Sequence, residues 1–445
     1  VDAVAPPAPV IDPSNGSVVS GTAEAGATVI LTDGSGNPIG QTTADGSGNW
    51  SFTPATPLPD GTVVNAIATD PAGNSSGPAS TTVDAVAPPA PVINASNGAV
   101  ISGTAEAGAT VVLTDGNGDP IGQTTADGSG NWSFTPGTPL PDGTVITAVA
   151  QDAAGNASGP ATTTVDTVAP PAPVIDPSNG SVVSGTAEAG ATVILTDGSG
   201  NPIGQTTADG AGNWSYTPAT PLPNGTVITA VAQDAAGNGS GPASTTVDSV
   251  APPAPTIDAS NGSVISGTAE AGATVILTDG NGIPIGQTIA DGSGNWSFTP
   301  GTPLPDGTVI NALARDAAGN NSSPVSTTVD AVAPSAPTLD ASNGTVITGT
   351  VEPGVKVILT DGNGDPIGEA IADGSGNWSF TPATPLPDGT VINAIAQDAA
   401  GNNSGPVTTT VDAVAPPAPV IDPSNGSVIS GTAEAGATVI LTDGN

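Results

Sequence analysis

Short stretches in which apolar and polar residues alternate recur along the chain, each bounded by Gly, Pro, Asn or Asp. In ATVILT, Val29 and Leu31 fall on one face; in NWSF, Trp50 and Phe52 share a face with Ser51 opposite. Such a period of two puts alternate side chains on opposite sides of a strand. Seven runs occur before the pattern restarts: PAPVI, SVVSGTA after the Asn15-Gly16 turn, ATVILT, PIGQTTA, NWSFTP, GTVVNAIAT and PASTTVD. They predict seven strands, A to G, and give helix no support. Each strand is apolar on one face only. Two sheets must therefore close over a shared core, an all-β immunoglobulin-like sandwich without the cysteine pair of antibody domains.

The pattern then repeats. Copies of VDAVAPPAP start at residues 1, 83, 165, 247, 329 and 411, a fixed step of 82 without insertion or deletion. Gly 61 and Pro 47 in 445 residues would by themselves lean toward disorder, but a strict period overrides composition. The expected organisation is a tandem array of seven-strand sandwiches: 1–82, 83–164, 165–246, 247–328 and 329–410, with 411–445 an incomplete sixth repeat holding strands A to C. At about 40 Å per sandwich, five would form an extended rod of roughly 200 Å. The tail cannot close a sandwich alone. It is expected to be disordered, completed by another chain, or continued in a longer polypeptide, as the missing starting Met and signal peptide also suggest. The linker sequence APPAP favours an extended, polyproline-like backbone and makes a poor swivel.

Composition narrows the chemistry. Forty acidic residues face Arg315 and Lys356, a formal net charge of -38, which argues against nucleic acid or an anionic membrane as partner. Cys and His are absent, excluding disulfides, His/Cys zinc sites and Ser-His-Asp or Cys-His catalysis. No apolar run approaches about 18 residues, so no segment spans a membrane as a helix. The five Trp residues (50, 132, 214, 296 and 378) each precede by two positions a Phe, or Tyr216 in the third repeat. They could stack on carbohydrate, but a small sandwich has no other aromatics for its centre, and a core role is expected. Arg315 and Lys356 occur once each and are expected at solvated strand positions.

The acids are the remaining candidates. Loops of a sandwich alternate between its two ends, so the linker Asp, the BC-turn Glu of GTAEAG, the DE-turn Asp and the FG-turn Asp and Asn of DAAGN fall at one pole. Clustered carboxylates repel, and Ca²⁺ relieves this with six to eight oxygen ligands in a flexible geometry. The candidate calcium ligands are Asp2, Glu24, Asp70 and Asn74 in the first repeat, and Asp84, Glu106, Asp152 and Asn156 in the second. Asp166, Glu188, Asp234 and Asn238 follow in the third, then Asp248, Glu270, Asp316 and Asn320 in the fourth. Asp330, Glu352, Asp398 and Asn402 belong to the fifth, and Asp412 and Glu434 to the tail. The lower pole of the preceding repeat would offer Asp12, Asp33 and Asp60. For Asp33, Asp45 and Asp60, each directly before Gly, a turn role is expected instead.

Taken together, VDxVAPPAP, GTAEAGATV, DGSGNWSFTP and DAAGN resemble the tandem bacterial immunoglobulin-like domains of giant biofilm-associated (Bap-like) surface adhesins exported by type I secretion. The resemblance covers the whole chain. It implies a long extracellular stalk on a Gram-negative cell, calcium stiffening the joints, and an adhesive module near one terminus. The linker Asp and the BC and FG acids correspond by motif to the family's variable ligand set. The expected function is a structural spacer, with calcium ions and neighbouring repeats as partners. The alternative is that the repeats themselves adhere, through glycans or the same protein on other cells. Paired carboxylates could in principle hydrolyse glycosides, but turn acids without a cleft argue against an enzyme.

Overall fold

The computed structural model describes residues 3–443. Seven strands build the first repeat: β1 (Val10–Ile11), β2 (Val19–Thr22), β3 (Thr28–Asp33), β4 (Pro38–Thr43), β5 (Asn49–Phe52), β6 (Val63–Thr69) and β7 (Ala79–Thr82). They form two antiparallel sheets of order β1-β2-β5 and β4-β3-β6-β7. The predicted strands are all present. Their pairing places β4 beside β3, because the turn at 33–37 is too tight to carry the chain across to the other sheet. A bulge between Leu31 and Thr32 interrupts that hairpin's register. The second to fifth repeats have the same arrangement. In the fourth and fifth the first strand is reduced to two backbone bonds, Thr256 and Asp258 N–H to the Thr268 and Ser266 carbonyls, and Thr338 and Asp340 N–H to the Thr350 and Thr348 carbonyls.

Alternation sets the core. Val29 and Leu31 are fully buried, as are Val19, Val64 and Ala66, and Trp50 is 3% exposed between the sheets. Each fully buried aliphatic side chain contributes about 1.5–3 kcal/mol. All five Trp side chains are equally buried, so they are core residues and offer no stacking platform. Their indole N–H groups have no hydrogen-bond partner among the described residues, a cost of about 1–3 kcal/mol each. Two glycines admit the aromatics. A Cβ on Gly21 would lie 1.9 Å from the Val10 carbonyl oxygen and 2.9 Å from the Trp50 ring, and one on Gly40 would lie 2.1 Å from Phe52. In the third repeat the aromatic is Tyr216, whose hydroxyl donates to the Ile203 carbonyl at 2.8 Å.

One turn is used three times in each sandwich. At 33–37, 45–49 and 70–74 the sequence is Asp-x-x-Gly-Asn, with the Gly near φ +85° to +93°. The first Asp accepts the amide of the last residue on its own carboxylate, at 2.8 Å for Asn37, 2.9 Å for Asn49 and 2.8 Å for Asn74. Asx-type capping and a left-handed glycine are what a tight five-residue reversal requires.

The repeats group into two compact units, one ending at Val247 and the other starting at Asp248. In the tail, Val420–Ile421 pairs with Gly431–Thr432, and Val420, Ile421, Val428 and Ile429 are exposed. No helix of the described residues is long and apolar enough to cross a membrane.

Candidate functional site: the linker joint

The linker is bonded to the sandwiches on either side of it. The Asp84 amide donates to the Ser14 carbonyl in the AB turn of the first repeat at 3.0 Å. The Asp84 carbonyl accepts Asn156 Nδ2, from the FG turn of the second repeat, at 2.7 Å. Ala85 N–H donates to Asp60 Oδ1 of the first repeat at 2.8 Å, and Val86 N–H to Asp84 Oδ1 at 3.1 Å. APPAP restricts the backbone by sterics, and these bonds fix its entry and exit.

Within the same unit the next joint repeats the arrangement. Asp166 N–H bonds to the Ser96 carbonyl, Thr167 N–H to Asp142 Oδ1, and Asn238 Nδ2 to the Asp166 carbonyl. In the other unit, Asp330 N–H bonds to the Ser260 carbonyl, Ala331 N–H to Asp306 Oδ1, and Asn402 Nδ2 to the Asp330 carbonyl. Asn320 Nδ2 reaches the Asp248 carbonyl at 2.8 Å. Asp412 N–H bonds to the Ser342 carbonyl and Ala413 N–H to Asp388 Oδ1.

The sequence-based trio does converge. Asp84, Glu106 and Asp152 line one cavity of about 250 Å³, together with Pro13 and Ser14 of the preceding repeat and no basic residue. Their oxygens are not equivalent. Asp152 accepts the Asn156 amide on Oδ1 and Asn156 Nδ2 on Oδ2, at 2.9 and 2.8 Å. Asp84 Oδ1 is taken by Val86 N–H, whereas the Glu106 carboxylate has no hydrogen-bond partner among the described residues. Each engaged oxygen keeps a second lone pair. Among the described residues no group of three or more acids stands close enough to hold a metal ion as arranged. The candidate residues thus share a cavity without forming a closed cage, and a cation would need carboxylate side chains to turn toward it.

The other candidates follow the same plan. Asp70 is 6% exposed, and the Asn74 amide groups hold its carboxyl below the ordinary value. Asp234, Asp316 and Asp398 are bonded to Asn238, Asn320 and Asn402 as Asp152 is to Asn156. Glu24 lines a groove with Pro7 and Ala8, and Glu106 lines the equivalent groove with Pro89 and Ala90. Glu188 and Glu270 accept backbone amides on their main-chain carbonyls in the same BC turn, as does Glu434 in the exposed tail. Asp2 lies outside the described residues. Of the two basic residues, Lys356 pairs with Glu369 at 3.4 Å and Arg315 Nε donates to Asn321 Oδ1 at 2.7 Å.

Two joint residues lay outside the candidate ligands. Asp60, placed at the lower pole facing the joint but expected to serve its turn, receives the linker amide across the joint. Its replacement by Asn224 in the third repeat was the available signal, since Asp and Asn share an Oδ1 acceptor but not a charge. Ser14, 2% exposed, was not singled out: its hydroxyl donates to the Val18 carbonyl and accepts Gly16 N–H, which fixes the carbonyl that meets Asp84.

A family profile described as "Bacterial Ig domain" matches residues 5–85, 87–167, 169–249, 251–331 and 333–413. Its segments start four residues later than the boundaries read from the linker, with the same period. No curated protein matches the chain. Among solved structures, "Biofilm associated protein - BSP domain" shares 13% identity at a TM-score of 0.19, over 75% of this chain and 98% of its own. Fibronectin(III)-like modules of Clostridium thermocellum CbhA share 16% at 0.22, over 37% of this chain and 90% of their own. The alpha-2-macroglobulin of E. coli shares 10% at 0.18, over 96% of this chain and 35% of its own.

Proposed function

The chain belongs to the bacterial Ig domain family, and from that premise we propose that it is a spacer of a bacterial surface adhesin whose joints are stiffened by calcium. The observation that carries this reading is the linker aspartate, whose backbone is bonded to both neighbouring sandwiches while it lines one cavity with Glu106 and Asp152. Within each unit, linkers bonded to the sandwiches on both sides hold successive repeats in place, as a spacer requires. Calcium bound in the cavity would supply positive charge that offsets the repulsion of the three carboxylates. Glu106, free of other partners, is the ligand best able to move. Asp152 is held by Asn156 and orients the FG turn, and Asn156 gives its amide to the linker. In this role Asn156 acts as a direct latch, a different use from the carbonyl ligation expected of it. Display at the cell surface, adhesion and biofilm formation belong to the same proposal.

Calorimetric titration of the intact chain with calcium tests it. Binding at or below millimolar calcium is expected, weakened at least tenfold when Glu106 and its copies are changed to Gln; heats absent below millimolar calcium would end the calcium reading. Small-angle scattering in calcium and in chelator is expected to show a monomer throughout. Calcium-dependent dimers would favour repeats that adhere by themselves.

A further inference from the structure

The fifth repeat departs from the others at one linker position. Its linker reads VDAVAPSAP, with Ser335 where the first to fourth repeats and the tail carry Pro7, Pro89, Pro171, Pro253 and Pro417. Proline has no N–H to donate. Ser335 has one, and it donates to Glu352 Oε1 at 3.0 Å. Glu352 is the BC-turn glutamate of that repeat. Its counterparts Glu24 and Glu106 stand in grooves beside Pro7 and Pro89, which have no N–H to give at that position. The same carboxylate that is unpartnered in the second repeat is therefore engaged by the chain's own backbone in the fifth.

We infer that the Ser335 to Glu352 hydrogen bond fastens the fifth repeat's linker without a cation, so that the Asp330 joint depends least on calcium. The bond is charge-assisted, which makes it stronger than a neutral one. It adds to the bonds that Asp330 makes through its amide to Ser260 and through its carbonyl to Asn402. It also holds the Glu352 carboxylate toward the linker, so a cation recruiting that group would have to compete with the bond. The cation-dependence part of this inference rests on the calcium reading above; the fastening itself does not.

Hydrogen-exchange mass spectrometry of the intact chain, in calcium and in chelator, reads both parts. Chelation is expected to speed exchange in the 84–91 linker and to leave 330–337 unchanged. In chelator, Ser335→Pro and Glu352→Ala should each speed exchange of the Ala331 to Ala333 amides about fivefold, the effect of losing roughly one hydrogen bond. Ser335→Ala keeps the backbone N–H and should change nothing, while Pro89→Ser should give the 84–91 linker protection that survives chelation. The fastening is overturned if Ser335→Pro and Glu352→Ala both exchange as the unaltered chain does, or if Ser335→Ala is as fast as Ser335→Pro. Acceleration in those variants together with no calcium effect at any linker would sustain the fastening and overturn the calcium reading alone.

Discussion

Single residues carry two kinds of constraint here, and they differ in how they fail. Gly40 is required by packing: a Cβ there meets the Phe52 ring at 2.1 Å, and Gly122, Gly204, Gly286 and Gly368 meet their own aromatics in the same way. Alanine at all five positions should cost each sandwich about 1–3 kcal/mol, since ring and strand must separate to admit it. Urea denaturation followed by tryptophan fluorescence measures this, and an unchanged midpoint would contradict the interlock. The turn aspartates are required by hydrogen bonding instead. Asp33, Asp45 and Asp70 occupy the same position of the same turn, although only the first two precede Gly. The glycine that matters is three residues on, where the backbone is left-handed.

At the scale of elements, the linker behaves as part of the sandwiches it joins. Its amides donate to Ser14 and Asp60 of one repeat, and its carbonyl accepts the Asn156 side-chain amide of the next. Asp60→Ala should speed exchange of the Ala85 amide about fivefold, the equivalent of roughly 1 kcal/mol. Asp60→Asn should leave it unaltered, because Asn offers the same acceptor atom; equal effects of the two changes would show that the charge, not the bond, holds the linker. The pairing of β4 with β3 is an element-scale outcome as well. The turn Asp33 to Asn37 closes so tightly that the next strand has nowhere to go but the adjacent edge.

Over the whole molecule the titration is simple, because a chain without His has only carboxylates to protonate between about pH 6.5 and 2. Hydrogen bonds from turn amides hold Asp33, Asp45, Asp127, Asp209 and Asp373 below the ordinary 3.8. A carboxyl lowered in the folded state stabilises it fully above the unfolded value and loses that contribution as pH falls through the folded one. Thermal stability should therefore be flat from about pH 8 to 5 and fall progressively below 3.8. A melting series followed by tryptophan fluorescence checks the window. Stability rising below 3.8 would mean that relief of the -38 charge outweighs the loss of the turn caps.

The sequence by itself determined the seven strands, the buried face of each, the aromatic core and the 82-residue period, because alternation and turn chemistry are local and are repeated in every copy. It also gathered Asp84, Glu106 and Asp152 at one pole, since strand count fixes the end at which each loop emerges. Only the tertiary structure decided which oxygens remain free there. Asn156 turns its amide toward the linker, Asp60 reaches across from the preceding repeat, and Ser335 engages Glu352. Those outcomes depend on groups far apart in the chain meeting at hydrogen-bond distance, and no local pattern encodes a distance.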